Sequence, residues 1–121
     1  MKIRSVLALA CIAASLAGCS FQNKYEREAQ KITEAVQKND MSAVKSDLSP
    51  NIALSRVQVA NWSDELSAQG KLESVKEVTP CNKPGFHCLT VKFQKSTYDE
   101  WLQMDDQNKV VNWHFHAANA G

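Results

Sequence analysis

Glu100 is the carboxyl with the clearest chemical potential in this chain. It falls between Tyr98 and Leu102 in an alternating run, on the same side as those apolar residues. A carboxyl amid apolar neighbours has its pKa raised by desolvation, and an acid so tuned suits proton transfer. The alternative is a rim position from which it reaches water. His114 and His116 stand two apart on the opposite side of a second alternating run. A His-x-His pair can begin a metal site, with Asp99 orienting one ring. With no third ligand, the same residues read as a Lys92, Asp99 and His114 charge cluster on a solvated face. His87 is expected on a distant hairpin tip. No catalytic residue set and no metal set is complete, and no cofactor is implied.

Cysteine usage is more definite. Cys81 and Cys88 flank Asn82-Lys83-Pro84-Gly85-Phe86-His87. Pro-Gly favours a turn, because Pro presets φ and Gly accepts φ > 0. A hairpin tip closed by a disulfide is the expectation. A zinc site is disfavoured, since the six-residue gap is long and there is no second cysteine pair.

Trp101 alternates onto the polar side of its run, between Thr90 and Asn112 in the expected pairing. A large aromatic on a sheet's polar face suggests a contact surface, taken together with Phe86 of the Pro84-Gly85-Phe86 tip. The alternative is partial cover by the chain end, Ala117 to Gly121. Trp62 and Trp113 read as core.

Helical and strand periods show what must hold these residues. Tyr25, Ala29, Ile32, Ala35 and Val36 recur at helical spacing, which predicts a helix from about Asn23 to Lys38, ended by Asn39. Asp40 can cap a short helix holding Met41, Val44 and Leu48, stopped by Pro50. Ser55 and Gln58 form a capping box for a third helix. Its stripe is Val59, Trp62 and Leu66, with Val57 near its start and Gly70 after its end. From Leu72 the period becomes two. The strands are Leu72 to Val78, the run of Leu89, Val91 and Phe93, the run of Tyr98 to Met104, and the run of Val111, Trp113 and Phe115. The prediction is an α+β fold, with N-terminal helices on one face of a four-stranded antiparallel meander.

Hairpin loops at Lys95-Ser96 and Asp105 to Asn108 set the expected register. The first places Phe93 opposite Tyr98 and Val91 opposite Glu100. The second places Met104 opposite Lys109, Leu102 opposite Val111 and Glu100 opposite Trp113. Glu100 then faces the helices, flanked by Val91 and Trp113.

The start of the chain has a different character. Lys2 and Arg4 precede a mostly apolar run from Val6 to Leu16, and Leu16-Ala17-Gly18-Cys19 follows. A basic start, a short apolar stretch and small residues describe a secretory signal rather than a membrane span. The cysteine after the small pair makes it resemble a bacterial lipoprotein lipobox. The resemblance implies cleavage after Gly18, with diacylglycerol on the Cys19 sulfur and an acyl chain such as palmitate on its nitrogen. Residues 1–18 are then a signal peptide, 19–24 a lipidated tether and 25–121 one domain. Ser20 is not the Asp that resembles an inner-membrane retention signal, so the expected location is the outer membrane, with the domain facing the periplasm. More than one acyl chain suffices for stable attachment. An oxidising compartment also suits the Cys81–Cys88 pair. Losing Lys2 and Arg4 takes the formal charge from +1 to −1. That balance argues against nucleic acid as a partner.

The order of elements from about Tyr25 to Phe115 resembles the nuclear-transport-factor-2-like, or cystatin-like, superfamily. The resemblance rests on "KND" after the first helix, "LS…Q…W…L…QGKLESV" and the closing "DDQNKVVNW" hairpin. It is most like the small bacterial envelope lipoproteins that carry such a domain. It implies a cone-shaped fold with a pocket on the helix side of the sheet. Three functional classes follow. One is a non-catalytic, membrane-anchored binding or interaction module with an envelope protein partner. Another is a small-molecule binder or vestigial enzyme using Glu100. The third is a protective inhibitor of an envelope hydrolase that uses the Cys81–Cys88 tip.

Overall fold

The computed structural model of the chain describes residues 22–52 and 54–118. The expected signal segment, the lipobox-like stretch and Cys19 lie outside these residues, as does the chain end from 119 to 121. No described helix is long and apolar enough to cross a membrane.

Helix α1 spans Lys24–Gln37. Asn23 caps it: the side chain accepts from the Glu26 N–H at 2.8 Å, and Glu26 accepts from the Asn23 N–H at 2.9 Å. This capping box satisfies two backbone donors that a helix start leaves unpaired. Ala29, Ile32, Ala35 and Val36 form its buried stripe, as the spacing predicts. At the far end Asn39 takes φ 53°, a left-handed turn that asparagine tolerates.

The short helix expected after Asp40 is instead two 3₁₀ turns, Met41–Ala43 and Lys45–Asp47. Asp40 does cap the first, accepting from the Ser42 N–H. Val44 breaks the run at φ −114°, with its side chain fully buried. So short a segment is shaped by packing rather than propensity. Leu48 then bridges Val110, and the Ser49 N–H donates to the Val110 carbonyl at 2.8 Å.

Helix α2, Arg56–Ser67, begins at the predicted Ser55–Gln58 capping box. Val59 and Leu66 are buried and Trp62 is half-buried, but Val57 is 71% exposed and lies off the stripe. Gly70 follows at φ +85°, and any Cβ there would meet the Gln94 side chain at 2.7 Å. The left-handed backbone favours glycine at this position.

Strands β1 (Leu72–Val78), β2 (His87–Phe93), β3 (Thr97–Met104) and β4 (Val110–Ala117) pair antiparallel in sequence order. Two α-helices and one open sheet make the predicted α+β fold. The inner face carries Val75, Leu89, Val91 and Leu102 against the helices.

The observed register differs from the expected one by two residues between β2 and β3 and, past a bulge, between β3 and β4. Thr97 pairs with Lys92, not Gln94, and Glu100 lies opposite Leu89, not Val91. The tight Lys95-Ser96 loop is lost because the Gln94 and Lys95 N–H groups donate to the Lys71 and Gln69 carbonyls, at 3.0 Å each. Gln94 to Ser96 becomes the loop, closed by the Phe93 N–H on the Ser96 carbonyl at 2.8 Å. In the last hairpin Met104 pairs with Val110, and a bulge follows between Gln103 and Met104. Beyond it Leu102 lies opposite Trp113, and Glu100 opposite Phe115. A shift of two preserves faces, whereas a shift of one would exchange them.

Candidate functional site

Glu100 and Trp101 define two candidate sites, one on each face of β3. Glu100 is 1% exposed, so it does not reach water at a rim. The Trp113 Nε1–H donates to its Oε1 at 3.0 Å. Its Oε2 lies 2.7 Å from the Thr33 hydroxyl, which also lies 2.7 Å from the Ala29 carbonyl. Burial pushes the Glu100 pKa up to about 7, and the Thr33 and Trp113 hydrogen bonds moderate the rise.

The geometry favours the neutral acid. Thr33 has one hydroxyl proton and two oxygen neighbours. If Glu100 is protonated, its O–H donates to Thr33, Thr33 donates to the Ala29 carbonyl, and Trp113 donates to the remaining carboxyl oxygen. Every group is then satisfied. If Glu100 is ionised, Thr33 must abandon Ala29 to serve it, and no cation among the described residues is near enough to bind the charge. The arrangement joins α1 to β3 and β4 through one carboxyl. Among the described residues, the second acid or histidine that proton transfer would need is not in hydrogen-bond contact with it.

His87 departs from its expected place on the tip. It opens β2 on the inner face, opposite Leu102. Its ring stacks on Tyr25 with centroids 3.5 Å apart, and its Nδ1 lies 2.7 Å from Glu77 Oε2. Nearby, the Glu77 N–H donates to Glu26 at 2.8 Å, and Asn23 Nδ2 donates to Glu77 at 2.8 Å. This network fastens the start of α1 to β1 and β2. The Asn23-x-x-Glu26 spacing was its one sequence signal. A second polar group missed by sequence reasoning joins Glu28, Lys31 and Asp47. Lys31 Nζ sits 2.6 Å from Asp47, which lowers the Asp47 pKa, while burial and the neighbouring Asp47 push Glu28 up to about 7.

The outer face carries the other aromatic features. The Cys81–Cys88 disulfide is present, with Cα atoms 5.2 Å apart. It closes the predicted turn, in which the Phe86 N–H donates to the Lys83 carbonyl at 3.2 Å and Gly85 takes φ +81°. Trp101 lies opposite Cys88 and His114, rather than between Thr90 and Asn112. It is half-buried. The Lys83 ammonium lies 5.4 Å from its ring centroid and 5.5 Å from that of Phe86. The His116 ring is 4.7 Å from the indole. The indole Nε1–H is covered and has no partner among the described residues. Among the described residues, Lys83 of the tip and His116 of β4 lie against it.

Beside Trp101 is a pocket of 280 Å³, walled by Val78, Pro80, Asn82, Cys88, Thr90 and Asp99. Leu89 and Glu100 also border it. Their side chains belong to the inner face, so strand alternation leaves their backbone to form the wall. The Glu100 carboxyl is thus separated from this pocket by the sheet.

The histidine pair does not build a larger constellation. His116 Nε2 lies 3.6 Å from Asp99, so Asp99 faces His116 instead of the expected His114 and Lys92. His114 is directed toward Phe86, with centroids 6.2 Å apart. No group of three or more His, Cys, Asp or Glu side chains is gathered for a metal ion among the described residues.

No family model, curated protein or solved structure matches this chain.

Proposed function

We propose that this chain is a bacterial envelope lipoprotein whose domain is a non-catalytic interaction module, held to the outer membrane through Cys19 and facing the periplasm. The observation that carries the module reading is the outer-face pocket beside Trp101 and the disulfide-closed Phe86 tip. Interface anchors are often aromatic residues set in or beside such recesses. Glu100 supports the same reading by contrast, because a sealed carboxyl is a poor candidate for enzymatic proton transfer. The order of helices and meander suits a cystatin-like cone, and the lipobox supplies the anchor.

The test uses Trp101→Ala in full-length protein, cross-linked in intact envelopes. The variant is expected to keep its fold and lose its principal cross-linked partner. Unchanged cross-linking would defeat the module reading. A hydrolase recovered as that partner would select the inhibitor form of it, since the same tip would then act as the wedge. The anchor has its own test. Cys19→Ser is expected to remain unprocessed and to lose labelling by fatty acid, and persistent labelling would refute lipidation.

A further inference from the structure

The outer face is unevenly charged. Lys76 and Lys92 project from it at positions opposite Thr90 and Thr97, and Lys83 overlies its aromatic pair. None of the three forms an ion pair among the described residues. Asp99 lines the pocket itself and has His116 Nε2 at 3.6 Å. Lys83 thus lies against the indole of a pocket whose walls include Val78 and Pro80, and Lys76 and Lys92 stand on the same face beside its Thr90 wall. A pocket of 280 Å³ has room for one large side chain.

We infer that the outer face binds an acidic segment of a protein partner, which seats one apolar side chain between Val78, Pro80 and Trp101 and lays flanking carboxylates on Lys76, Lys83 and Lys92. This rests on the interaction-module reading and adds the chemistry of the partner. Charge complementarity chooses the segment: like charge repels a basic peptide, and a neutral one leaves the lysines unanswered. The apolar pocket gives the contact its centre. The lysines, exposed and screened by salt, contribute mainly to selection and encounter rate.

The probe is a fluorescein-labelled peptide with one leucine between two runs of three glutamates, titrated by anisotropy into full-length protein. Saturable binding is expected at low salt, weaker at 300 mM salt by tenfold or more. A matched lysine-flanked peptide is expected not to bind. Joint Lys76→Glu, Lys83→Glu and Lys92→Glu substitution should weaken binding at least about tenfold. Joint substitution of Lys45, Lys71 and Lys95 by Glu makes the same net charge change elsewhere and should have little effect. Melting curves for both triple variants establish that each is folded, and Lys83→Gln alone gives a milder version of the loss. Equal weakening by the two triple variants would overturn the proposal, as would equal binding of the basic peptide. Tight association with phosphatidylglycerol vesicles through these lysines, without peptide binding, would also overturn it. If Trp101→Ala abolishes cross-linking while the lysine substitutions change nothing, the acidic-segment proposal fails and the module reading stands.

Discussion

Glu100 and Trp101 are neighbours in sequence, and β3 sends them to opposite faces with opposite treatment. The inner face takes an ionisable group and encloses it, giving it one hydroxyl and one indole N–H. The outer face takes a large aromatic and leaves it half-covered beside a recess. The difference separates two ways in which a residue can depart from the pattern of its surroundings. A buried polar group with complete hydrogen bonds stabilises one arrangement of helix on sheet, and ligands cannot touch it. An aromatic beside an open recess adds little to the core and can meet a partner. The chemically reactive residue is here the structural one, and the unreactive indole is the better functional candidate.

The largest expected effect sharpens this contrast through pH. Glu100 binds its proton more tightly in the folded state, with a pKa near 7, than in the unfolded chain near 4.5. Below pH 4.5 both states hold the proton and the group exerts no effect. Between pH 4.5 and 7 the unfolded state ionises first, so stability falls as pH rises, by up to roughly 3 kcal/mol, and then levels off. Glu100→Gln keeps a donor for Thr33 and an acceptor for Trp113 without the charge. Urea unfolding should show the variant matching the parent near pH 4 and exceeding it by most of that amount at pH 8. Parallel pH profiles for the two proteins would mean that Glu100 is hydrated, and the contrast between faces would fail.

The disulfide tests whether the outer recess is preformed. Replacing both Cys81 and Cys88 with Ser should cost about 2 kcal/mol, as expected for a short closed loop. The inner core lies elsewhere, so the variant should fold. If the tip shapes the recess, partner cross-linking should drop although the sheet persists. Undiminished cross-linking would place the binding energy on Trp101 alone. In the parent protein, non-reducing mass mapping should find the linked peptides two hydrogens lighter than the reduced pair.

The smallest expected effect is the stability change in Trp101→Ala, about 1 kcal/mol or less for a half-buried side chain with few core contacts. Melting the variant beside the parent provides the check. A loss of several kcal/mol would make Trp101 a core residue and remove the reason for assigning function to its face.

Local chemistry made much of this legible before any tertiary contact was known. Period-two alternation assigned Glu100 and Trp113 to one face and Trp101, His114 and His116 to the other. Those assignments survived register shifts of two, because side-chain direction depends on parity alone. Ser55 with Gln58, Asn39 and the Pro84-Gly85 turn act through their own backbone neighbours, so their types and spacing sufficed. The Cys81–Cys88 pairing was also local, spanning seven residues.

Tertiary structure decided what depends on distant groups. The β2–β3 loop widened because Lys71 and Gln69 took the Gln94 and Lys95 N–H groups, a competition invisible within the hairpin. His87 left its expected place at the tip to stack on Tyr25, a residue on another element. Whether Glu100 met water or Thr33 depended on where α1 crosses the sheet, and the crossing is set by packing across the whole inner face. Sequence alone therefore determined which way each side chain on β3 points. The fold determined what each one meets there, because direction is a property of the local backbone and burial is a property of everything packed around it.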